Sequence, residues 1–290
     1  MKTAPDVSVI VPCYRAGPYL ARFVASLQAQ SYAGAWEAVF VDDGDPAGAD
    51  VYACVDDPRC RVVHQPNRGV SAARNRGLAE TTGEIVLFAD PDDELGPDWM
   101  RHLAEGIAGV DLAWGGYRTI LDGRTEDHVP ADAGEVYLGA DVRTRAWRAV
   151  FGYRLRDVLR WQTPGRLWRG CRRELGSACW RAFRRSVLGE LRFDETLALY
   201  EDAIFVAEYA ARARSLRVLS AVDYRYTIRP TGAMTAEHRL RLAEHKFALR
   251  EARKRLDPSM SSWRGSHLLS ALELLAAGEL RQALRYFLFR

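Results

Sequence analysis

The chain has 290 residues, of which 48% are hydrophobic and 27% charged, and its formal net charge is +3. This composition is that of an ordinary globular protein, and the charge is too small to predict nucleic-acid binding. No stretch approaches the roughly 18 apolar residues of a membrane span, and no secretory segment follows Met1. The five cysteines are an odd number without a C-x-x-C pair, which fits a reducing compartment. We therefore predict a cytoplasmic protein, with any membrane contact peripheral at the inner face.

The first part of the chain alternates between strand and helix patterns. Predicted strands cover 7–11, 39–41, 61–64 and 85–89, and predicted helices cover 18–30, 70–80 and 97–106. This alternation predicts an α/β fold with a Rossmann-like mixed, mainly parallel sheet flanked by helices. Three of the strands end in polar residues, at 13–14, 42–43 and 90–93. Because the carboxyl ends of parallel strands share one edge of the sheet, we expect these residues to form a site there.

The second part of the chain is less regular. Residues 110–121 fit a hairpin or a pair of strands around two glycines, and helix-like segments alternate with loops over 138–173. Further predicted elements are a strand at 178–183, a helix at 200–214, strands at 216–219 and 222–228, and helices from 237 onward. Fourteen arginines lie between Arg143 and Arg192, and they could meet phosphates, meet an acidic surface or form a solvated face.

An acidic motif follows the buried strand at 85–89, where Asp90, Asp92 and Asp93 fall within four positions. Carboxylates this close repel one another unless a cation lies among them, and Asp-x-Asp suits Mg²⁺ or Mn²⁺ completed by a phosphorylated substrate. The alternative is an acidic turn. No G-x-G-x-x-G follows the first strand and no G-x-x-x-x-G-K-[ST] occurs, which argues against a dinucleotide dehydrogenase and a P-loop phosphotransferase.

Four blocks in order resemble glycosyltransferase family 2 on the GT-A fold. They are VSVIVPCY from Val7, VDDG from Val41, NRGVSAARNRG from Asn67 running on to the acidic motif, and RFDE from Arg192 followed by YED from Tyr200. The resemblance covers about residues 6–230. It implies a GT-A domain over 1–234, with a nucleotide-sugar-binding half at 1–120 and an acceptor-side half at 121–234. Residues 235–290 form a predicted C-terminal helical extension outside the resemblance.

The resemblance also implies roles for individual residues. Those expected to bind the nucleotide sugar are Pro12, Tyr14, Asp42, Asp43, Arg74, Asn75 and Asp90. Of these, Pro12, Tyr14 and one of Asp42 or Asp43 would line the base pocket, and Asp90 would accept hydrogen bonds from the ribose. Asp92 is the expected metal ligand, with Asp90, Asp93 and His238 as further candidates and Mn²⁺ or Mg²⁺ as the ion. Asp202 is the expected general base and Glu201 the second choice, although acids at this position could simply stabilise their own helix.

The implied function is an inverting, metal-dependent transfer of a sugar from a nucleoside diphosphate sugar, by family frequency UDP-linked, to an acceptor hydroxyl. The acceptor would be a glycan, glycolipid or small molecule in polysaccharide, glycolipid or glycoconjugate biosynthesis. The alternatives are a nucleotidyltransferase, which usually needs a glycine-rich basic loop that 12–15 lacks, and a non-catalytic sugar-nucleotide-binding module. No Q-x-x-R-W motif follows Asp202, so we do not expect a processive synthase. The apolar and basic segment 286–290 could pack back on the domain, support a homodimer or touch a membrane.

Overall fold

The computed structural model describes residues 5–151, 176–197, 200–229, 251 and 255–256. Its strands are β1 Val7–Cys13, β2 Trp36–Asp42, β3 Cys60–His64, β4 Ile85–Phe88, β5 Glu94–Leu95, β6 Leu112–Trp114, β7 Tyr117–Leu121, β8 Arg124–His128, β9 Val136–Leu138, β10 Arg181–Arg184, β11 Ser215–Val218 and β12 Tyr224–Thr227. Its α-helices are α1 Gly17–Gln28, α2 Val70–Glu80, α3 Trp99–Gly106, α4 Ala140–Phe151, α5 Arg185–Leu188 and α6 Glu201–Arg212, and a 3₁₀ turn covers Ala49–Cys54.

In the described part of the chain, eight strands form the main sheet in the order β3-β2-β1-β4-β10-β6-β11-β9. The strands β3, β2, β1 and β4 are mutually parallel, whereas β10 runs antiparallel between β4 and β6. The predicted mixed, mainly parallel α/β sheet is therefore confirmed. The order also brings the carboxyl ends of β1, β2 and β4 to one edge.

Helices cover both faces of the main sheet, and alternate strand residues feed two hydrophobic cores. Val86 and Phe88 of β4 lie in the core that contains the apolar residues of α4 and α6, whereas Leu87 lies in the core with those of α1 and α3. All seven residues of β1 are buried. Burial on both faces explains why these strands read as continuous apolar runs in the sequence.

An aromatic cluster fixes α6 against the main sheet. The ring of Phe88 contacts those of Phe183, Phe193 and Phe205 at centroid distances of 5.7, 5.2 and 5.7 Å. Phe193 and Phe205 stack in parallel at 3.9 Å. Aromatic contacts of this kind add about 0.5–1.5 kcal/mol each beyond the area they bury, so the N-terminal half of α6 is firmly attached to β4.

A second sheet has the strand order β5-β12-β7-β8. The pair of strands predicted at 110–121 is confirmed, but the alternative of a hairpin is wrong, because β6 belongs to the main sheet and β7 pairs with β12 and β8 in the second one. Gly115 and Gly116 carry the chain from one sheet to the other. An added Cβ at Gly116 would lie 2.6 Å from the carbonyl oxygen of His128, so the close approach of the backbones requires glycine there.

Other boundaries also differ from the sequence prediction. The strand expected at 178–183 begins three residues later as β10, and the short strands β5, β8 and β9 were not predicted. Several residues of the arginine-rich stretch point inward: Arg185, for example, donates to the carbonyl oxygen of Leu78 and the hydroxyl of Thr81 at the end of α2. The region of the predicted C-terminal helices lies almost entirely outside the described residues. Within the described residues, no helix has both the length and the apolar character needed to span a membrane.

Candidate active site

The candidate site lies at the main-sheet edge where β1, β2 and β4 end. In the register of the parallel strands, Cys13 of β1 is opposite Asp42 of β2, and Ile10 of β1 is opposite Phe88 of β4. The polar residues that follow these strands therefore reach the same edge, as the sequence predicted. We call this edge, together with the residues that face it from α2 and α6, the strand-end site.

Asp42 orients a histidine at the rim of the strand-end site. Its carboxylate is buried, accepts a hydrogen bond from Asp45 N at 2.8 Å and lies 2.7 Å from Nδ1 of His64. Although burial opposes ionisation, these hydrogen bonds lower the pKa of Asp42. The ring of His64 remains exposed at the end of β3. The sequence prediction omitted His64 as a site residue, although its place at the end of a predicted strand was a usable signal.

Asp43 is engaged in shaping the backbone. One carboxylate oxygen accepts hydrogen bonds from Gln65 Nε2 at 2.8 Å and Arg68 N at 2.9 Å, and the other accepts from Gly69 N at 2.8 Å. Gly69 has a φ of +90° and precedes the first turn of α2. Asp43 thus holds the loop that leads into α2, and its predicted contact with the donor base stays a prediction.

The other two residues predicted to line the base pocket differ in exposure. Pro12 is a buried residue of β1 opposite Val41. Tyr14 is 46% exposed, and the guanidinium carbon of Arg15 lies 5.2 Å from its ring centroid. Tyr14 therefore presents an accessible aromatic face on which a base could stack.

Arg74 joins two carboxylates from distant parts of the chain. It is 3% exposed, donates from Nη1 to Glu201 Oε1 at 2.7 Å and donates from Nη2 to Asp90 Oδ1 at 3.0 Å. These two carboxylates keep Arg74 protonated, and they raise its pKa even though burial works in the opposite direction. Asn75, the next residue of α2, forms two hydrogen bonds with the backbone of Phe193. Its side chain donates to the carbonyl oxygen at 2.9 Å and accepts from the N–H at 2.8 Å.

Asp90 is held from three sides at the end of β4. Besides the bond from Arg74, its Oδ2 accepts a weak hydrogen bond from Cys179 Sγ at 3.5 Å, and its N–H donates to the hydroxyl of Tyr224 at 3.1 Å. Its side chain is still 33% exposed. Cys179 and Tyr224 were not predicted as site residues because neither lies in a block that carries the family resemblance.

Asp92 is the most exposed of the three acids in the motif, with 45% of its side chain accessible. Its carboxylate and its backbone carbonyl both accept hydrogen bonds from Arg229, whose guanidinium also lies over the ring of Tyr19. Partial burial and the neighbouring Asp90 carboxylate raise the pKa of Asp92. The guanidinium of Arg229, which follows β12, therefore already contacts the carboxylate of Asp92.

Asp93 is buried and bonded to β12. It is 1% exposed, its Oδ2 accepts from the hydroxyl of Tyr224 at 2.8 Å and its Oδ1 accepts from Thr227 N at 3.0 Å. Burial, followed by the charges of Asp92 and Asp90, raises the pKa of Asp93 well above its ordinary value. Asp93 was a further candidate metal ligand, but the structure favours a structural role, since both of its carboxylate oxygens are bonded to β12.

The predicted base lies in the first turn of α6. Asp202 is partly buried, its Oδ1 accepts from Ala203 N at 2.7 Å, and it forms no ion pair among the described residues. Burial raises the pKa of Asp202, while the charge of Arg74 opposes the shift. Burial and the charge of Asp202 together raise the pKa of Glu201 to about 7. Tyr200, which precedes both acids, has a left-handed φ of +64°.

The acidic motif fits a divalent metal that also binds phosphate. In the described part of the chain, no three His, Cys, Asp or Glu side chains form a ready metal cage. Asp90 and Asp92 supply hard carboxylate oxygens next to each other, and Mg²⁺ or Mn²⁺ needs only one or two protein carboxylates when phosphate oxygens complete its shell. Residue 238, the predicted histidine ligand, lies outside the described residues.

The sheet order defines a mixed, mainly parallel α/β protein with acidic residues at its strand ends. The sequence profile of Glycosyl transferase family 2 matches residues 8–192, which is more than half of the chain. The chain therefore belongs to glycosyltransferase family 2, as the motif blocks predicted.

Individual relatives agree with this family. The chain is 30% identical over 179 residues to the uncharacterized glycosyltransferase YibD of Escherichia coli, covering 55% of this chain and 51% of YibD. It is 29% identical over 249 residues to the uncharacterized glycosyltransferase EpsJ of Bacillus subtilis, covering 83% of this chain and 66% of EpsJ. The chain thus spans between half and two thirds of the length of these relatives.

A solved structure with the same fold is the mannosyltransferase PcManGT from Pyrobaculum calidifontis in complex with GDP-Man and Mn²⁺. Its TM-score is 0.62 at 19% identity, with 98% of this chain and 76% of that chain covered. A fragment of S. aureus TarS in complex with UDP-GlcNAc has a TM-score of 0.59 at 22% identity, with 98% and 71% covered. These likenesses confirm the predicted GT-A fold.

Proposed function

We propose that this protein is a metal-dependent inverting glycosyltransferase that moves a sugar from a nucleoside diphosphate sugar to an acceptor hydroxyl in the biosynthesis of a polysaccharide or glycoconjugate. The observation that carries the proposal is that Arg74 joins Asp90 to the turn of Glu201 and Asp202 in one hydrogen-bonded network. Family membership favours sugar transfer over nucleotidyl transfer. The retention of both the metal motif and the base argues against a non-catalytic module.

The donor side of the site would be formed by β1, β2 and β4. The exposed ring of Tyr14 offers a stacking surface for the base, and the Asp42–His64 pair offers polar groups at the neighbouring strand ends. Asp90, partly exposed and held by Arg74, would accept hydrogen bonds from the ribose. Uridine is the first base to test, because S. aureus TarS was solved with UDP-GlcNAc, although PcManGT was solved with GDP-Man.

The metal would be held by Asp92, with Asp90 beside it, and Mn²⁺ or Mg²⁺ suits these oxygen ligands. When bound, the ion would supply positive charge that stabilises the diphosphate leaving group. Arg229 contributes positive charge of its own at Asp92. The likeness to a fold solved with Mn²⁺ supports this part of the proposal.

Asp202 would act as the general base. An inverting displacement needs one carboxylate that takes the proton of the acceptor hydroxyl. The oxygen of that hydroxyl attacks the anomeric carbon, and the diphosphate departs with the electron pair of the bond that breaks. Asp202 is suited to this task because it is partly accessible, has a raised pKa and forms no ion pair among the described residues. Glu201 is less suited because its carboxylate is bonded to Arg74.

The test is a calorimetric titration with UDP and GDP, with and without Mn²⁺, followed by a turnover assay on UDP-GlcNAc and GDP-Man. We expect tight nucleotide binding only with the metal, and loss of that metal dependence in Asp92→Asn. In Asp202→Asn, turnover should fall by at least about 10²-fold, as general-base removal does, with nucleotide affinity nearly unchanged.

Asp194→Asn is a matched control, since this acid bonds only to Thr196 among the described contacts and precedes α6 by several residues. It should leave binding and turnover near wild-type levels. Nucleotide binding that is indifferent to Mn²⁺ and to Asp92→Asn would refute the metal role. Wild-type turnover in Asp202→Asn would refute the base assignment.

A further inference from the structure

The network around Arg74 connects the donor side of the site to the turn that carries the proposed base. Arg74 is buried in the middle of α2 and donates to Asp90 at one end and to Glu201 at the other. A guanidinium is planar and presents its N–H groups in a rigid fork, so it fixes the separation of the two carboxylates it joins. The ring of Phe193 lies 5.3 Å from the guanidinium carbon and closes one side of the network.

The turn at the start of α6 carries both acids. Tyr200 adopts a left-handed backbone conformation that costs a non-glycine residue about 1–2 kcal/mol, and the direction of this turn sets where Glu201 and Asp202 point. Among the described residues, Asp202 is bonded only to the N–H of the next residue in its own helix. In the described part of the chain, the hydrogen bond from Arg74 to Glu201 ties this turn to the rest of the strand-end site.

From this geometry we infer that Glu201 is a positioning residue: through Arg74 it fixes the base-bearing turn relative to the ribose-binding carboxylate Asp90. Glu201 transfers no proton in this arrangement, because its carboxylate is 9% exposed and accepts the Arg74 hydrogen bond. Its effect on the reaction is exerted entirely through the location of Asp202. The inference rests on the proposed function, since it assigns a role within the same site.

The test compares Glu201→Ala, Glu201→Gln and the double variant Glu201→Ala/Asp202→Asn. Turnover is measured as release of UDP from UDP-GlcNAc or of GDP from GDP-Man, and UDP affinity in Mn²⁺ is measured by calorimetry. Glu201→Ala should lower kcat by about 10²-fold, the effect of a misplacement of about 1 Å, with little change in the KM for the donor. Glu201→Gln keeps an oxygen that accepts from Arg74, so its kcat should fall by less than about tenfold.

The double variant separates positioning from a general loss of structure. If Glu201 acts only through Asp202, the double variant should be no slower than Asp202→Asn alone, because residues that act as a unit are not additive. Glu208→Gln on the same helix removes the same charge from an ion pair with Arg255 and serves as the matched control. It should keep wild-type kcat.

Three results would overturn the inference. Full activity of Glu201→Ala would show that Glu201 has no role in turnover. A kcat of Glu201→Gln as low as that of Asp202→Asn would indicate that Glu201 itself accepts the proton. A double variant much slower than Asp202→Asn would show an independent contribution. Absence of turnover in the wild type, or turnover unaffected by Asp202→Asn, would instead refute the proposed function on which the inference depends.

Discussion

Glu201 and Asp202 are adjacent carboxylates whose surroundings give them different chemistry. Glu201 is buried against Arg74, whereas Asp202 is partly accessible and unpaired among the described residues. From the sequence alone, both Glu201 and Asp202 were candidates for the general base. The distinction depends on which carboxylate meets an arginine more than a hundred residues earlier in the chain, and this is a property of the folded protein.

The pH dependence of turnover tests the environment of Asp202. Since burial raises the pKa of Asp202 and a protonated carboxylate cannot accept a proton, turnover should fall as the pH decreases. The apparent pKa of this acid limb should lie above the value of about 4 that is ordinary for aspartate, with Glu201 titrating together with Asp202. A profile of kcat/KM against pH checks this, and an acid limb at or below about 4 would contradict it.

Arg229 and a metal ion would compete for the same carboxylate. Because Arg229 bonds Asp92, we expect Arg229→Gln to bind Mn²⁺ several-fold more tightly in the absence of nucleotide. Calorimetry with Mn²⁺ alone measures the change. Arg225→Gln is the control, since it removes the same charge from β12 but from an ion pair with Glu94. Equal effects of the two substitutions would indicate a general change in charge and not competition at Asp92.

At the scale of elements, the packing of α2 against β1 positions Arg74. The two elements meet at Gly77, where an added Cβ would lie 2.3 Å from Cγ2 of Ile10, a buried residue in the middle of β1. Helix propensity favours alanine over glycine by about 1 kcal/mol, but here the close approach of the helix to the strand decides the residue. The helix α2 was predicted from its sequence pattern. The reason why residue 77 is glycine became clear only from the packing of α2 against β1.

The substitution Gly77→Ala should therefore destabilise the protein. Overpacking of a filled core costs about 1–3 kcal/mol, which exceeds the gain in helix propensity, and a displaced α2 would also weaken nucleotide binding through Arg74. Urea denaturation and UDP titration measure the two effects. Gly17→Ala in α1 is the control, because its Cβ would make only ordinary contacts, at 3.5 and 3.7 Å, with Val51. Unchanged or increased stability of Gly77→Ala would contradict this account.

At the scale of the whole molecule, the sequence was most informative where neighbours in the fold are close in the chain. The strands β1 to β4, their order of alternation with helices and the acids that follow them were predicted, because burial on two faces produces continuous apolar runs. The second sheet and the antiparallel direction of β10 were not predicted, although a strand was expected at 178–183. Their pairing joins segments far apart in the chain, and short strands of mixed polarity such as β8 carry little pattern of their own.

The proposed domain boundary at residue 234 also belongs to this scale. Leu256 packs against the core that contains α6, and Arg255 pairs with Glu208 of that helix. A fragment of residues 1–234 lacks both contacts, so we expect it to fold with a melting temperature a few degrees lower, the shift that about 1 kcal/mol produces in a protein of this size. Its affinity for UDP in Mn²⁺ should match that of the full chain.

A fragment of residues 1–197 is the matched comparison. It lacks α6, whose buried residues Ile204 and Phe205 belong to the core, and it should not fold cooperatively. Differential scanning calorimetry and UDP titration distinguish the two fragments. If the 1–234 fragment fails to fold or loses UDP affinity, the proposed boundary is wrong and the segment after 234 is part of the same cooperative unit.

The antiparallel insertion of β10 has a consequence for the folding of the chain during synthesis. The strands β3, β2, β1 and β4 can pair as soon as Phe88 has left the ribosome, but the free edge of β4 is covered only by Arg181–Arg184. At about 5–20 residues per second, that strand emerges many seconds later. During this interval Ile85–Phe88 is an apolar, unpaired strand edge, the kind of surface that associates with other chains. We therefore expect the nascent protein to be most exposed to aggregation, and most in need of a chaperone, after β1 to β4 have formed and before β10 has paired with β4.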